Sequence, residues 1–157
     1  MIGMLSDTEI EDVLKKQLVG HLGCHADGIT YVVPVSYAYD GTFVYVRTQE
    51  GKKIDMMRKN PDVCFQVDNM KDMGNWQSVI AWGKYEELVD HEERRNALQR
   101  LVDRTLPLVS STTTHLSNNW PFPPADLESI EGIVFRIALK NKSGRFESNE
   151  ESPFFAV

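Results

Sequence analysis

The chain has 157 residues, 41% hydrophobic and 25% charged, with a formal net charge of −6. This length fits a single domain over residues 1–157, and the composition is that of a globular protein rather than a disordered or fibrous one. The acidic balance argues against a nucleic-acid partner. The sequence has neither ~20 consecutive apolar residues nor a secretion-signal pattern, so we expect a cytoplasmic protein without a membrane partner.

The first third of the sequence predicts one helix followed by a meander of three strands. Ser6 and Glu9 form a Ser-x-x-Glu capping box, so a helix is predicted from Ser6 to Lys16. Two turn pairs, Asp27-Gly28 and Asp40-Gly41, separate runs that are rich in β-branched and aromatic residues. These predicted strands are Val19–Ala26, Thr30–Tyr39 and Thr42–Thr48.

The remaining sequence predicts two more helices and further strands. A short helix is predicted over Gly51–Asn60, and a second capping box, Asp90 with Glu93, opens a helix that ends before Pro107. The segment from Pro107 to Glu131 has no clear period and is predicted to be a functional or mobile loop. The predicted strands are Val63–Asp68, Trp76–Val89, Gly132–Lys140 and a short piece around Arg145-Phe146.

The strand predicted over Trp76–Val89 is apolar on both faces, with Val79 and Ala81 on one side and Ile80 and Trp82 on the other. Exposing the second side to water would leave a large apolar patch. We therefore expect one face to fill a barrel and the other to meet a second subunit or a ligand.

A possible anion site lies where Gly51, Lys52 and Lys53 lead from a strand into a helix. Cations in the first turn of a helix oppose its macrodipole, at a cost of about 0.3–1 kcal/mol each when exposed. An anion bound to the free backbone N–H groups would make the two lysines favourable there, because both ammonium groups would lie beside one phosphate. The alternative is a surface turn with two solvated lysines.

Pro34 interrupts an otherwise regular strand pattern, and proline is confined to sheet edges, bulges or broken ladders. A planar ligand beside it could pair with free backbone groups and with Ser36. An edge strand with no ligand would give the same sequence pattern.

Four segments, taken in order, resemble the pyridoxamine-phosphate-oxidase-like flavin-binding split barrels. The resemblance implies a mainly β, α+β fold, namely a six-stranded antiparallel split β-barrel with flanking helices. It also implies a homodimer that holds FMN in two equivalent clefts between the subunits. The four segments are Tyr31–Tyr39, Val44–Lys53, Arg58–Phe65 and Trp76–Gly83.

The same resemblance implies which residues contact FMN. Lys52 and Lys53 would bind its phosphate, and Arg47 and Thr48 would contact it from the preceding strand end. The remaining implied contacts are Val35 and Ser36 along the ring, Gln77 and Ser78 at its polar edge, and Trp120 as a cap.

Two departures from the family pattern leave the reaction open. Vitamin B6 oxidases carry an Arg-x-His motif near the C-terminus, where this chain reads Gly144-Arg145-Phe146-Glu147. Nitroimidazole-reducing relatives usually have a histidine in the strand before the Gly-Lys-Lys turn, where this chain has Tyr45-Val46-Arg47. The sequence therefore predicts an FMN-dependent oxidoreductase of unknown substrate. Two alternatives are a non-catalytic protein that stores or senses flavin and a haem-binding relative.

The cysteines and histidines receive structural roles. Cys24 and Cys64 lie in strand-like runs and are predicted to be buried free thiols. His21 and His25 share a strand face but have no third ligand nearby, so no metal site is predicted.

Overall fold

A computed structural model describes residues 1–104, 106, 114–116, 124 and 126–149. Within these residues the chain forms eight strands, three α-helices and one 3₁₀ turn at Leu127–Ser129. The strands are β1 (Ile2–Met4), β2 (Val19–Ala26), β3 (Ile29–Ser36), β4 (Ala38–Tyr39), β5 (Phe43–Thr48), β6 (Asp62–Asp72), β7 (Asn75–Glu87) and β8 (Ile133–Ser148). The helices are α1 (Asp7–Lys16), α2 (Lys52–Lys59) and α3 (His91–Val102). None of these helices has both the length and the apolar character needed to cross a bilayer.

All strand pairs are antiparallel and belong to one sheet, in the order β3-β2-β6-β7-β8-β5-β4, with β1 also paired to β8. The predicted mainly β fold with flanking helices is confirmed. The predicted count of six strands is wrong, because the sheet has eight and does not close.

The two additional strands are short, and each has a local cause. The strand predicted over Thr30–Tyr39 breaks at Tyr37. Its N–H donates to the Leu18 carbonyl oxygen, one step beyond the last β2–β3 pair, and the chain then leaves β2 and pairs with β5. The Tyr37 hydroxyl donates to the carbonyl oxygen of Leu14 in α1 at 2.7 Å. Beyond this break the chain forms only the two-residue β4. The three-residue β1 is too short to show a period and is held by pairing with the end of β8.

Most other predicted boundaries are confirmed within a few residues. The Ser6–Glu9 capping box caps α1 as predicted, and Asp27 and Gly28 both have positive φ in the turn between β2 and β3. At α3 the Asp90 side chain accepts from the Glu93 N–H, while the Glu93 carboxylate lies 3.6 Å from Arg136 Nη2.

The two strand pieces predicted near the C-terminus form one continuous strand, β8. It pairs with β7 along almost its whole length, and the register of this pairing shifts between Ile80 and Trp82. Asn141, with φ of 48°, lies at the same level of the sheet. A bulge of this kind bends a strand without ending it.

The main core lies inside the curved sheet, where α1 and α2 pack. It includes Leu22, Phe65, Val79 and Phe135, each almost fully buried. A second cluster forms where α3 covers the other side of β5, around Tyr45 and Leu98. The two clusters fix β5 between them.

The opposite side of β3-β2-β6-β7, which we term the outer face, carries apolar side chains with no covering element among the described residues. Register places Val32, Gly23, Cys64 and Trp82 side by side across the four strands. Val32 is 60% exposed and Trp82 is 46% exposed. The strand predicted to be apolar on both faces is thus β7, which is buried on one side and open on the other.

Candidate functional site

The unclosed sheet leaves a cleft between β3 and β5. These strands approach each other but are not neighbours in the hydrogen-bonded order. The cleft has a volume of about 310 Å³. Its described lining is Pro34, Val35, Ser36, Val46, Arg47, Thr48, Gln49, Glu50, Lys53 and Thr114.

One wall of the cleft is the edge strand β3. It pairs only with β2, so of the settings left open for Pro34 the structure shows the edge strand. Val35 is buried and Ser36 is partly buried, and both line the cleft. This wall therefore offers apolar surface next to one hydroxyl group.

The N-terminus of α2 opens at the other end of the cleft. Its N-cap is Gly51, which supplies no side-chain cap, whereas α1 and α3 are capped by Ser6 and Asp90. Uncapped N–H groups at a helix N-terminus are suited to an anion. Lys53, in the first turn, is partly buried and lines the cleft. Burial lowers the pKa of its ammonium group.

The two lysines predicted to bind one phosphate have different surroundings within one chain. Lys53 faces the cleft, whereas Lys52 is exposed and its Nζ lies 5.2 Å from the centroid of the Tyr31 ring. Successive residues of a helix point about 100° apart, so a single chain directs only one of them into the cleft.

The end of β5 supplies a second cation. Arg47 lines the cleft, and its Nε donates to the Glu131 carbonyl oxygen at 2.7 Å. Gly132 comes next in the chain with φ of +103°, and a Cβ there would lie 2.6 Å from the Thr48 carbonyl oxygen. The backbone before β8 therefore approaches Arg47 and Thr48 more closely than a side chain would permit.

The acidic residue of the lining is paired. Both carboxylate oxygens of Glu50 accept from Arg58 in α2, each at 3.1 Å. Arg58 also contacts Glu87 at 2.8 Å, and the hydroxyl of Tyr85 donates to that carboxylate. The Tyr85 hydrogen bond, followed by Arg58, lowers the pKa of Glu87. Glu50 is thus paired with Arg58, while Arg47 and Lys53 place two cations in the cleft lining of an acidic protein.

The structure thus brings Val35, Ser36, Arg47, Thr48 and Lys53 together in one cleft. Gln77 and Ser78 lie elsewhere, on β7, where side chains of adjacent residues point to opposite faces of the sheet. Gln77 Oε1 accepts from Asn69 Nδ2, and Ser78 Oγ accepts from Gln66 Nε2 on the outer face. The remaining predicted contact, Trp120, lies outside the described residues.

Sequence reasoning missed three contributors to this region. Glu50 and Arg58 are eight residues apart, and their pairing is seen only in the folded chain, where Arg58 also reaches Glu87 of β7. Arg104 reaches Ser36 from the end of α3, 68 residues away in sequence. No local pattern connects residues at such a separation.

The cysteines and histidines do not line the cleft. Cys24 is buried and Cys64 is partly buried, and both are free thiols. The His21 ring nitrogen Nδ1 lies 3.1 Å from Gln66 Oε1, and His25 Nδ1 lies 3.0 Å from Thr30 Oγ1. These contacts are between neighbouring strands.

Comparison with known proteins confirms the family predicted from the sequence. Residues 6–146 match the family model described as pyridoxamine 5′-phosphate oxidase. A curated but uncharacterized protein of Rhizobium meliloti (strain 1021), RA0666, is 34% identical over 100 residues. The match covers 61% of this chain and 66% of that relative, so the chain spans just under two thirds of its length.

Two solved structures show the same fold. A FAD-binding protein from Mesorhizobium loti is 35% identical with a TM-score of 0.69, over 94% of this chain and 99% of its own. A candidate 5-nitroimidazole antibiotic resistance protein from Bacteroides thetaiotaomicron VPI-5482 is 20% identical with a TM-score of 0.69, over 96% of this chain and 92% of its own.

Gly132→Ala tests the geometry of the Arg47 end of the cleft. The added Cβ would push against the Thr48 carbonyl oxygen and displace Arg47. Gly28→Ala is the matched control, since Gly28 also has positive φ but has no atom within 4 Å of the added Cβ. Both variants should lose roughly 1–2 kcal/mol of stability from backbone strain. Inorganic phosphate should raise the melting temperature of the wild type and of Gly28→Ala, but much less that of Gly132→Ala. Equal phosphate shifts in all three proteins would contradict this geometry.

Proposed function

We propose a flavin-dependent function for this chain, which belongs to the pyridoxamine 5′-phosphate oxidase family. In this proposal the cleft between β3 and β5 holds FMN at the boundary with a second copy of the chain. The bound flavin exchanges hydride or electrons with a small molecule that is not identified. The observation that carries the proposal is the convergence of the uncapped α2 N-terminus, Lys53 and Arg47 in one cleft.

These three features together favour a phosphate group. A helix N-terminus presents backbone N–H donors and the positive end of the macrodipole. Lys53 and Arg47 add two cations from different elements, and the Glu50 carboxylate is already occupied by Arg58. A neutral ligand would make little use of this arrangement.

A flavin ring suits the remaining surface. The volume of about 310 Å³ is within the range of small-molecule sites. Val35 offers an apolar contact and Ser36 a hydrogen-bonding group on the edge strand. The FAD-binding protein of Mesorhizobium loti, similar over nearly its whole length, supports a flavin in particular. We favour FMN because one uncapped helix terminus with two nearby cations matches a single terminal phosphate.

A homodimer would complete the site. The outer face would otherwise leave Val32, Cys64 and Trp82 in water, and a second copy could cover it. Ser78 lies on this face, so a partner copy could bring it to the flavin. Gln77 points to the other side of β7, and its contact with FMN, like that of Trp120, stays a prediction.

When bound, the flavin supplies the electron-transfer chemistry. The described residues would bind and orient it: Arg47 and Lys53 hold the phosphate, and Val35 and Ser36 fix the ring. The second copy would exclude water from the cleft.

Pyridoxamine phosphate is not proposed as the substrate. The position of the histidine in the Arg-x-His motif is occupied by Glu147, whose carboxylate accepts from Trp76 Nε1 at 3.0 Å. Arg145 lies opposite Ser78 in the β7–β8 register. Glu147 therefore has a structural partner and cannot reproduce the chemistry of an imidazole.

Lys53→Ala tests the phosphate site. A charge-assisted hydrogen bond is worth about 1.5–3 kcal/mol, so FMN affinity should fall roughly ten- to a hundredfold. Flavin-fluorescence titration measures the dissociation constant, with Lys59→Ala as the control because Lys59 lies at the far end of α2 and pairs with Asp27. Equal affinities of Lys53→Ala and wild type would refute the placement.

Anaerobic mixing with NADH or NADPH separates an oxidoreductase from a protein that only stores or senses flavin. The visible absorption band of the FMN-loaded protein should bleach with one of the two donors. Persistence of the band with both would favour the storage or sensing role. A Soret band in the purified protein would instead indicate haem.

Trp82→Glu tests the second copy. A carboxylate at the centre of the outer face should disrupt the dimer and weaken FMN binding, because each site would lose its partner. Val89→Glu is the control, since Val89 is 81% exposed and lies beyond the end of β7. Light scattering and FMN titration provide the two readouts, and a wild type that is monomeric at micromolar concentration would contradict the proposed interface.

A further inference from the structure

A guanidinium group contacts one of the residues that line the cleft. Arg104 lies just beyond the end of α3, and its Nη1 donates to Ser36 Oγ at 2.5 Å and to the Tyr37 carbonyl oxygen at 3.1 Å. Its Nε donates to the Leu101 carbonyl oxygen at 2.9 Å. One side chain therefore ties the end of α3 to the serine that lines the cleft.

Arg104 keeps its charge in a poorly hydrated position. Burial lowers the pKa of its guanidinium to about 10, which leaves it protonated at neutral pH. Among the residues that the structure describes, no carboxylate pairs with it, whereas Arg58 and Arg136 each face two. Burying a charge that no described carboxylate offsets is costly, and a neutral donor could bind the same carbonyl groups at lower cost. The retained charge indicates a role beyond holding α3.

The hydrogen-bond roles at Ser36 are set by the chemistry of the two groups. A guanidinium has donors and no acceptor, so Ser36 Oγ must accept from Arg104. The hydroxyl hydrogen of Ser36 is then available to a third group. Because Ser36 lines the cleft, that hydrogen can be directed to an acceptor bound there.

We propose that Arg104 is a positioning residue that holds Ser36 as a hydrogen-bond donor toward bound flavin. The inference rests on the flavin-binding function proposed above. The isoalloxazine ring offers carbonyl oxygens and unprotonated ring nitrogens as acceptors, so a fixed donor on the β3 wall would select its orientation. The positive charge on Arg104 would strengthen that donor, since a hydroxyl that accepts a hydrogen bond from a cation is polarised and donates more strongly.

The test is a double-mutant cycle on the full chain with FMN as the probe. Arg104→Met should weaken FMN binding about tenfold or more, and Ser36→Ala should weaken it by a similar factor. The double variant should bind FMN at most about twofold less tightly than whichever single variant binds it less tightly. This is expected because the two side chains act as one unit. Both single variants should shift the visible absorption band of bound FMN in the same direction, a change that a purely structural tie would not cause.

Controls separate the failure of this inference from the failure of the proposed function. Arg95→Met, an exposed change on the same helix, should leave both the affinity and the spectrum unchanged. If Arg104→Met does not fold, Arg104→Gln, which keeps a donor without the charge, takes its place. A variant that melts earlier but binds FMN with unchanged affinity and spectrum would overturn the role of Arg104 alone. A wild type that binds no FMN would overturn both.

Discussion

The fold depends on Tyr37, where the chain stops pairing with β2 and starts pairing with β5, and where the sheet stays open. This residue is almost fully buried, packs edge-on against Phe65 with ring centroids 5.0 Å apart, and bonds backward to Leu14 and Leu18. Because Tyr37 turns the chain between β3 and β4, the two edges of the sheet meet without a ladder of hydrogen bonds. The candidate site is the gap that this leaves. Filling it with a paired strand would remove the site, and widening it would expose the core.

The electrostatics of the gap are assembled from distant parts of the chain. Lys53 comes from the start of α2, Arg47 from the end of β5 and Arg104 from the end of α3. The only lining carboxylate among the described residues, that of Glu50, is occupied by Arg58. On a chain of net charge −6, this concentration of positive charge is a local feature.

Local patterns predicted most elements, because caps, turns and periodicity act over a few residues. The Ser6–Glu9 box, the Asp27-Gly28 turn and the strand on either side of it are examples. The number of strands was not predictable in this way, since β1 and β4 depend on partners far along the chain. The two-sided apolar pattern around Trp82 corresponds to a face that no described element covers, where Trp82 is 46% exposed; that a second subunit or a ligand meets this face stays a prediction.

The site was predictable in its parts but not in its assembly. Glycine followed by two lysines indicated an anion site, yet only the fold shows that Lys53 enters the cleft while Lys52 packs on Tyr31. The family resemblance predicted the site residues on the β3 wall and at the end of β5. Nothing in the sequence connects Arg104 to Ser36, because their contact depends on how α3 packs across β5.

We propose that the cleft between β3 and β5 holds the phosphate of FMN at the start of α2. The most direct measurement is a crystal structure of the protein grown with FMN. We expect phosphate oxygens within hydrogen-bond distance of Lys53 Nζ and of the first backbone N–H groups of α2, with the ring beside Val35 and Ser36. FMN bound at another place, or a cleft left empty at saturating FMN, would contradict it.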